Sequence, residues 1–432
     1  MTSTEKPSKG PNKLLRMTQA QLDLALVKHV AYLEHRASGE AAKLANCDLS
    51  GLNFSGRNLS QIDFTGAVLY EANLSKANCE NCIFFSCDLR KASFSQANLT
   101  HADLRGASLR GAVMTGVDMT GADLREGKFA TYDPEKGLSF YHDKEAWSEG
   151  PGGVDLRGAN MDSVKMAGVI AVNSNFEDAN LSKAKLIRGE LDNVNLRGAN
   201  LAGADLSTCK ITNSDLSGAN LSGTAINFTS MIGVEMKDVL TDEAAGKTVN
   251  DLPKSLDEMI KLHQIWLLTK GKGGARLDLS GFDMRKAPAL TGTNLTLIVA
   301  EETTWYGYNF SGVNLQASQF QKSDLRTCSF SSSDLRGSDF SNAKMVSVKF
   351  DHVRLEPLLL EGGRMFKTNF TGANLRYVDF SNADLRYVNF SNADLSFADF
   401  TGANISHAVF ESVDFSDVKI DFELLKRNGQ IP

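Results

Sequence analysis

The amino-acid sequence predicts an all-β solenoid built as two tandem modules, each preceded by an α-helix. Three observations carry this expectation. A five-residue apolar frame persists through most of the chain, one long polar stretch interrupts it, and two helical segments with matching side-chain spacing precede the repeats.

The frame begins at Cys47. Each unit of five contains a small residue, often Asp or Asn next, then a large apolar centre, Ser/Thr/Arg, and frequently Gly. The centres keep register from Leu49 to Phe129, which is 17 repeats, and from Leu156 to Met236, another 17. After Leu279 and Met284, and a slip near Pro288, 26 further centres run from Leu295 to Ile420, giving 62 in all. A period of five matches neither the 3.6 of an α-helix nor the 2.0 of a flat strand. The backbone path must therefore turn once every five residues, with two of the five side chains facing inward.

Ala97-Asn98-Leu99, Ala102-Asp103-Leu104, Ala373-Asn374-Leu375, Ala383-Asp384-Leu385 and Ala393-Asp394-Leu395 resemble the A(D/N)LXX motif of the pentapeptide-repeat family. That resemblance implies a right-handed quadrilateral β-helix, with four pentapeptides to a coil and the central Leu or Phe inside. The residues supply a separate check. Phe and Leu alternate at the centres Phe370, Leu375, Phe380, Leu385, Phe390, Leu395 and Phe400. With four faces, Phe380 and Phe400 stack on one, and Phe370, Phe390 and Phe410 on the opposite one. Alternating large and smaller inward residues lets facing walls interdigitate.

Stacked coils leave open ends that need covering. Leu22-Asp23, Leu26, His29 and Tyr32-Leu33 match Leu256-Asp257, Ile260, His263 and Trp266-Leu267 at identical spacing, each set forming one helical stripe. Thr18 with Gln21 and Ser255 with Glu258 read as capping boxes at the helix starts. The expected organisation is a disordered tail over 1–17, a first helix and β-helix over 18–240, a polar linker over 241–254, and a second helix and β-helix over 255–432. The segment after Asp421 is expected to close the last coil.

The 22 residues from Tyr132 to Gly153 cannot lie in the wall and are expected to project from it as a loop carrying His142 and Trp147. A second irregular patch, Glu301 to Tyr308, is expected to distort an early coil of the second module and to present Trp305 and Tyr306 as candidate interaction residues on its surface. On the outside, twenty-residue spacing stacks Arg90 on Arg110 and Arg105 on Arg125, beside Asp103 and Asp123. In the second module it stacks Tyr377 on Phe397 and Tyr387 on His407. Exposed aromatics on a flat wall suit partner contact, while stacked rings also stabilise a sheet as cross-strand pairs do.

Composition narrows the function. Hydrophobic residues are 42% and charged residues 23%, with a net charge of −6, so a core is expected and direct nucleic-acid binding is disfavoured. No apolar run reaches the roughly 18 residues of a membrane span. The N-terminus carries Lys6, Lys9, Lys13 and Arg16 without an apolar run behind them, unlike a secretory signal. Six cysteines are too few for a disulfide scaffold, which points to the cytoplasm. Cys79, Cys82 and Cys87 have metal-like spacing, but their register places them inward as core thiols, so neither metal nor cofactor is expected. His29 and His263 read as buried histidines bonded to the first coil.

No catalytic fingerprint occurs in a suitable context. The expected function is therefore a non-catalytic protein-interaction or scaffolding module with an unnamed protein partner and possible homodimerisation. An alternative that the resemblance brings is a DNA-mimic modulator of a type II topoisomerase (gyrase). Such mimicry needs a strongly acidic surface, yet Leu295 to Ile420 holds 15 Asp/Glu against 11 Lys/Arg. A third is a secreted effector that binds a host protein.

Overall fold

The computed structural model describes residues 14–125, 130–133, 137–140, 153–360, 363–427 and 429. Parallel bridges link residues twenty apart almost without break, as in Asp48↔Val68, Asp88↔Ser108 and Asn374↔Asp394, so each coil contains four pentapeptides.

The repeat around Leu49 shows why this sequence makes this coil. Asp48 Oδ1 accepts from the Ser50 N–H at 3.1 Å, the local Asx bond that makes Asp and Asn favoured before the centre. The Leu52 N–H donates to Leu49 O at 3.2 Å and closes a four-residue turn, whose third residue, Gly51, has φ of 68°. Leu49 itself is buried, and its N–H donates to Val68 O of the next coil at 2.7 Å. The small residue two before each centre also faces inward. Several Ser, Thr and Cys residues there donate to the carbonyl of a centre one coil back, as Cys82 does to Leu59 O, Ser333 to Phe310 O and Thr224 to Leu201 O, whereas Ser174 and Ser214 bond to carbonyls two residues earlier. Each of the five positions thus has its own physical reason, and these inward hydroxyls and thiols find partners along the stack.

The chain divides into two compact units, Met1–Asp242 and Glu243–Pro432, each with its own apolar cluster. In the first, β1 (Leu15–Arg16) pairs in parallel with β2 (Cys47–Asp48), and α1 (Gln19–Leu33) lies between them in sequence. The end of the segment expected to be a disordered tail is therefore structured. The first unit leaves the wall once, through the antiparallel pair β3 (Ala130–Asp133) and β4 (Gly137–Phe140). Val113↔Asp155 spans 42 residues instead of twenty, and hence 22 lie outside the coil. The excursion already holds Ala130, two residues ahead of the expected start, and Phe129 lies outside the described residues. The remaining face of this unit is the sheet β5 (Ile170–Val172), β6 (Glu190–Asp192), β7 (Lys210–Thr212) and β8 (Ser230–Ile232).

The second unit opens in the same way. β9 (Lys247–Thr248) pairs in parallel with β10 (Phe282–Asp283), followed by a 3-10 turn over Val249–Asp251 and then α2 (Leu256–Leu268). The expected linker over 241–254 is therefore structured in part: Lys247–Thr248 are paired, Val249–Asp251 turn, and the Ala245 N–H donates to Asp283 Oδ2 at 3.0 Å. The slip near Pro288 is a single extra residue, since Asp278↔Val299 and Asp283↔Thr304 span 21.

A larger correction concerns the 26-repeat frame. Asp339↔Asn369 spans 30 residues, so ten leave the wall after Leu355. They include the antiparallel pair β11 (Leu358–Leu359) and β12 (Met365–Phe366). Leu360 and Met365, counted as inward centres, are exposed. Helix α3 (Phe422–Arg427) follows the last coil and buries Leu425 in the second cluster.

The two long helices meet their coils through equivalent contacts. Leu22, Leu26 and His29 are buried on α1, and Leu256, Ile260 and His263 on α2. His29 Nδ1 accepts from the Ala42 N–H, which leaves Nε2 to donate to Ser60 O at 2.9 Å. His263 Nδ1 accepts from the Leu277 N–H and its Nε2 donates to Thr296 O at 2.9 Å. The capping boxes differ. Thr18 and Gln21 bond reciprocally, whereas at Ser255 only the half from the Glu258 N–H forms, because the Glu258 carboxylate takes Lys254 at 2.7 Å. No helix among the described residues is long and apolar enough to cross a membrane.

Candidate interaction surfaces

The wall chemistry follows from one local rule. In every repeat written Asp-centre-Arg among the described residues, the arginine folds back on the aspartate two residues earlier in a two-point bond. Arg90 grips Asp88 at 2.8 and 2.7 Å, Arg105 grips Asp103 at 2.9 and 2.7 Å, and Arg125 holds Asp123 in the same way. The rule repeats at Arg157, Arg285, Arg326, Arg336 and Arg386. Where Asn stands in place of Asp, the arginine turns to the aspartate of the next coil, as Arg197 does to Asp215 at 3.0 Å. Hydrogen bonds from Arg105 hold the Asp103 carboxyl below the usual range. Burial pushes Asp123 upward, but bonds from the Arg125 side chain and backbone outweigh it and leave it lowered.

The bridges Asp88↔Ser108 and Asp103↔Asp123 put Arg90 over Arg110 and Arg105 over Arg125 in register, as expected. Arg90 also lies 5.6 Å from the Tyr70 ring and Arg105 5.6 Å from that of Phe85. These arginines stand on a lattice of compensated charge, not on a bare cationic stripe.

The aromatic columns form. Tyr377 stacks on Phe397 with centroids 4.9 Å apart and planes 5° apart, and Tyr387 on His407 at 4.6 Å and 20°. All four occupy the turn position with φ between 58° and 63°, where Gly372, Asn382, Asn392 and Gly402 stand in intervening repeats. Tyr377, Tyr387 and Phe397 are half-buried and His407 is exposed.

Two expected surface residues are not on the surface. Trp305 is fully buried as a centre, T-shaped against Phe310 at 4.9 Å, and Tyr306 is buried beneath the Arg326 guanidinium at 4.9 Å. The Glu301–Tyr308 patch keeps regular bridges, including Thr304↔Asp324, so it does not distort the coil. Trp305 also packs T-shaped against Tyr308 at 4.8 Å. His142 and Trp147 lie outside the described residues.

A family model described as Pentapeptide repeats matches residues 47–84, 87–126, 152–188, 190–224 and 309–355, and one described as Pentapeptide repeat region matches 333–422. Together they take in well over half of the sequence. The chain belongs to the pentapeptide-repeat family. Among solved structures, a pentapeptide repeat protein from the Arabidopsis thaliana thylakoid lumen is 29% identical over 27% of this chain and 66% of that one, with a TM-score of 0.21. HetL, a pentapeptide repeat protein involved in heterocyst differentiation regulation from Nostoc sp. strain PCC 7120, is 16% identical over 91% and 94%, with a TM-score of 0.15. QnrB1, a plasmid-mediated fluoroquinolone resistance protein, is 16% identical over 46% and 87%, with a TM-score of 0.20. No curated protein matches the chain.

Family membership assigns the remaining polar residues to the repeat itself. All six cysteines are buried and free. Cys79 is a centre whose thiol is pushed well up by its bond with Cys82 and by burial, and burial likewise raises Cys87 and Cys328. Thiols held protonated in this way are poor metal ligands, and no metal-holding cluster occurs among the described residues.

The surface that sequence reasoning missed is the hairpin β11/β12, with Leu359, Leu360, Met365 and Phe366 exposed. Its ten residues preserve the five-residue frame, so period alone conceals it. One signal was available: Leu358 stands where the repeat wants a small inward residue, between Pro357 and the Gly362-Gly363 pair.

Proposed function

We propose that this pentapeptide-repeat protein is a non-catalytic interaction module that presents its outer faces and the 132–153 loop to a protein partner, with α1 and α2 capping the starts of its two β-helices. The single observation that carries this reading is the pair of stacked aromatic columns on the outer faces of the second unit. A bulky residue in the left-handed region costs roughly 1–2 kcal/mol, and an aromatic pair returns about 0.5–1.5 kcal/mol. Two strained residues per column are therefore not offset by one stack. Asn or Gly, present at the neighbouring turns, would serve the fold better. Other bulky residues such as Lys91, Leu297 and Thr327 also hold this turn, so the strain is common to the coil; what singles out these columns is that aromatic rings are paired there on the outer face.

The test follows from the same arithmetic. In Tyr387→Asn and Phe397→Asn variants the melting temperature should hold or rise, while capture of a partner from the host extract is lost. Lowered melting with unchanged capture would assign the columns to stability and end this reading.

The DNA-mimic alternative has less support. Mimicry requires uncompensated carboxylates, and the Asp-centre-Arg rule neutralises many of them where they stand. Micromolar protein should leave supercoiling by a purified type II topoisomerase unchanged.

A further inference from the structure

The hairpin β11/β12 combines a built root with an apolar outer surface. At the root, the buried Thr368 hydroxyl donates to Leu355 O at 2.9 Å and accepts from the Gly337 N–H at 3.1 Å. A Cβ at Gly337 would approach Phe366 Cβ to 2.9 Å, so the excursion sits tightly against a wall position where only glycine fits. Further out, the Leu360 N–H donates to Arg364 O at 2.9 Å and extends the pair.

Beyond the root the side chains face water. Leu359 is 70% exposed, Phe366 49%, Met365 46% and Leu360 42%, all within ten residues. Among the described residues of the second unit's repeats, Val409 is the only other large apolar side chain so exposed. Clustered exposure of this kind marks a contact site. Arg364 and Lys367 bracket Met365 and Phe366 in sequence and form no salt bridge among the described residues. Lys367 Nζ lies 5.8 Å from the centroid of the Tyr387 ring, which stacks on His407, so the hairpin is continuous with one aromatic column.

We propose that this hairpin is a docking finger that inserts Leu359, Met365 and Phe366 into an apolar groove of a partner protein rimmed by carboxylates. The charge pattern selects that occupant. When the apolar pair enters a groove, Arg364 and Lys367 come to rest at its edge, where cations stripped of water need anionic acceptors. A second copy would offer one carboxylate per hairpin, Glu361, against two cations. A lipid surface would draw on only two basic residues against a net charge of −6. The proposal rests on the interaction-module reading and adds to it the site and the chemistry of the partner.

The test places a benzophenone amino acid at Leu359, and separately at Phe397, in the full chain expressed in its own host. The protein joined at position 359 is then purified and titrated against the wild type, a Met365→Ser/Phe366→Ser variant and an Arg364→Glu/Lys367→Glu variant. Each variant should bind roughly tenfold or more weakly, and wild-type binding should weaken with added salt. The charge variant changes only exposed side chains, so it decides the matter if the serine variant folds poorly. Unchanged affinity in the charge variant overturns the proposal. So does an adduct only with a second copy, or binding only to phosphatidylserine/phosphatidylcholine vesicles. An adduct at 397 but not 359 overturns the hairpin and leaves the broader reading standing, while none at either position removes both.

Discussion

The two units wind the same coil but hold it together differently. In the second, two facing columns of phenyl rings run up the interior. One passes through Phe310, Phe330, Phe350, Phe380 and Phe400, and the other through Phe320, Phe340, Phe370, Phe390 and Phe410. Successive rings within each column lie 4.8 to 5.5 Å apart. Rings from opposite columns meet edge to face, as Phe330 and Phe340 do at 6.0 Å. The first unit has a single stacked inward pair, Phe64 on Phe84, among its described residues. It carries instead an amide ladder on one outer face: Asn78 donates to Asn58, Asn98 to Asn78, Asn180 to Asn160, Asn200 to Asn180 and Asn220 to Asn200, at 2.9 to 3.2 Å. The ladder spans the 22-residue excursion because Asn160 donates to Asp118 at 3.1 Å. One fold thus accepts two cohesive schemes, one of dispersion inside and one of hydrogen bonds outside. Coil geometry requires only that equivalent positions twenty residues apart suit each other.

The strongest attempt to break this contrast removes a ring. Phe340→Ala should cost the second unit about 3–5 kcal/mol, since the ring stacks on both Phe320 and Phe370. Leu181→Ala in the first unit should cost about 2–5 kcal/mol. Calorimetry of the full chain measures both, and equal losses would show that the columns add nothing beyond burial. The next effect is one of pH. Burial, opposed by the bond to Thr296 O, lowers the His263 pKa from 6.5. The folded form binds the proton less readily than the unfolded one, so this contribution is present above pH 6.5 and lost as pH falls through the lower folded value. Melting of the second unit should decline over that window, and His263→Gln should flatten the decline.

Smaller effects sharpen the comparison. Asp118 is the one ladder position that, as a carboxylate, has no donor to offer Asn98 below it. Asp118→Asn should complete the ladder and stabilise the first unit by about 0.5–1.5 kcal/mol, read as a raised first transition. Finally, deleting residues 357–366 joins Glu356 to Lys367, restores the twenty-residue spacing between Asp339 and Asn369, and leaves Leu355 and Phe370 as centres of adjacent repeats. The second transition should move by less than about 1 kcal/mol; a collapse of the unit would show that the hairpin is part of the wall.

Much of the fold was legible because period and register are properties of the chain itself. Asp or Asn before each centre, Gly or Asn at the turn and a small residue facing inward are each needed within five residues, so the sequence alone determined the coil, the opposite Phe columns and the matched helices with His29 and His263. The 22-residue excursion was legible because 22 is not a multiple of five and breaks the frame. The hairpin β11/β12 was not, because ten extra residues leave the frame intact, and only pairing between coils reveals that Asp339 meets Asn369. Trp305 and Tyr306 were misplaced for a related reason: an aromatic residue reads as surface or core according to the space its neighbours leave, and that space belongs to the stacked coils. Which charges cancel was likewise decided in three dimensions. A local aspartate claims each arginine that follows it by two residues, and an arginine without one reaches across to the coil above.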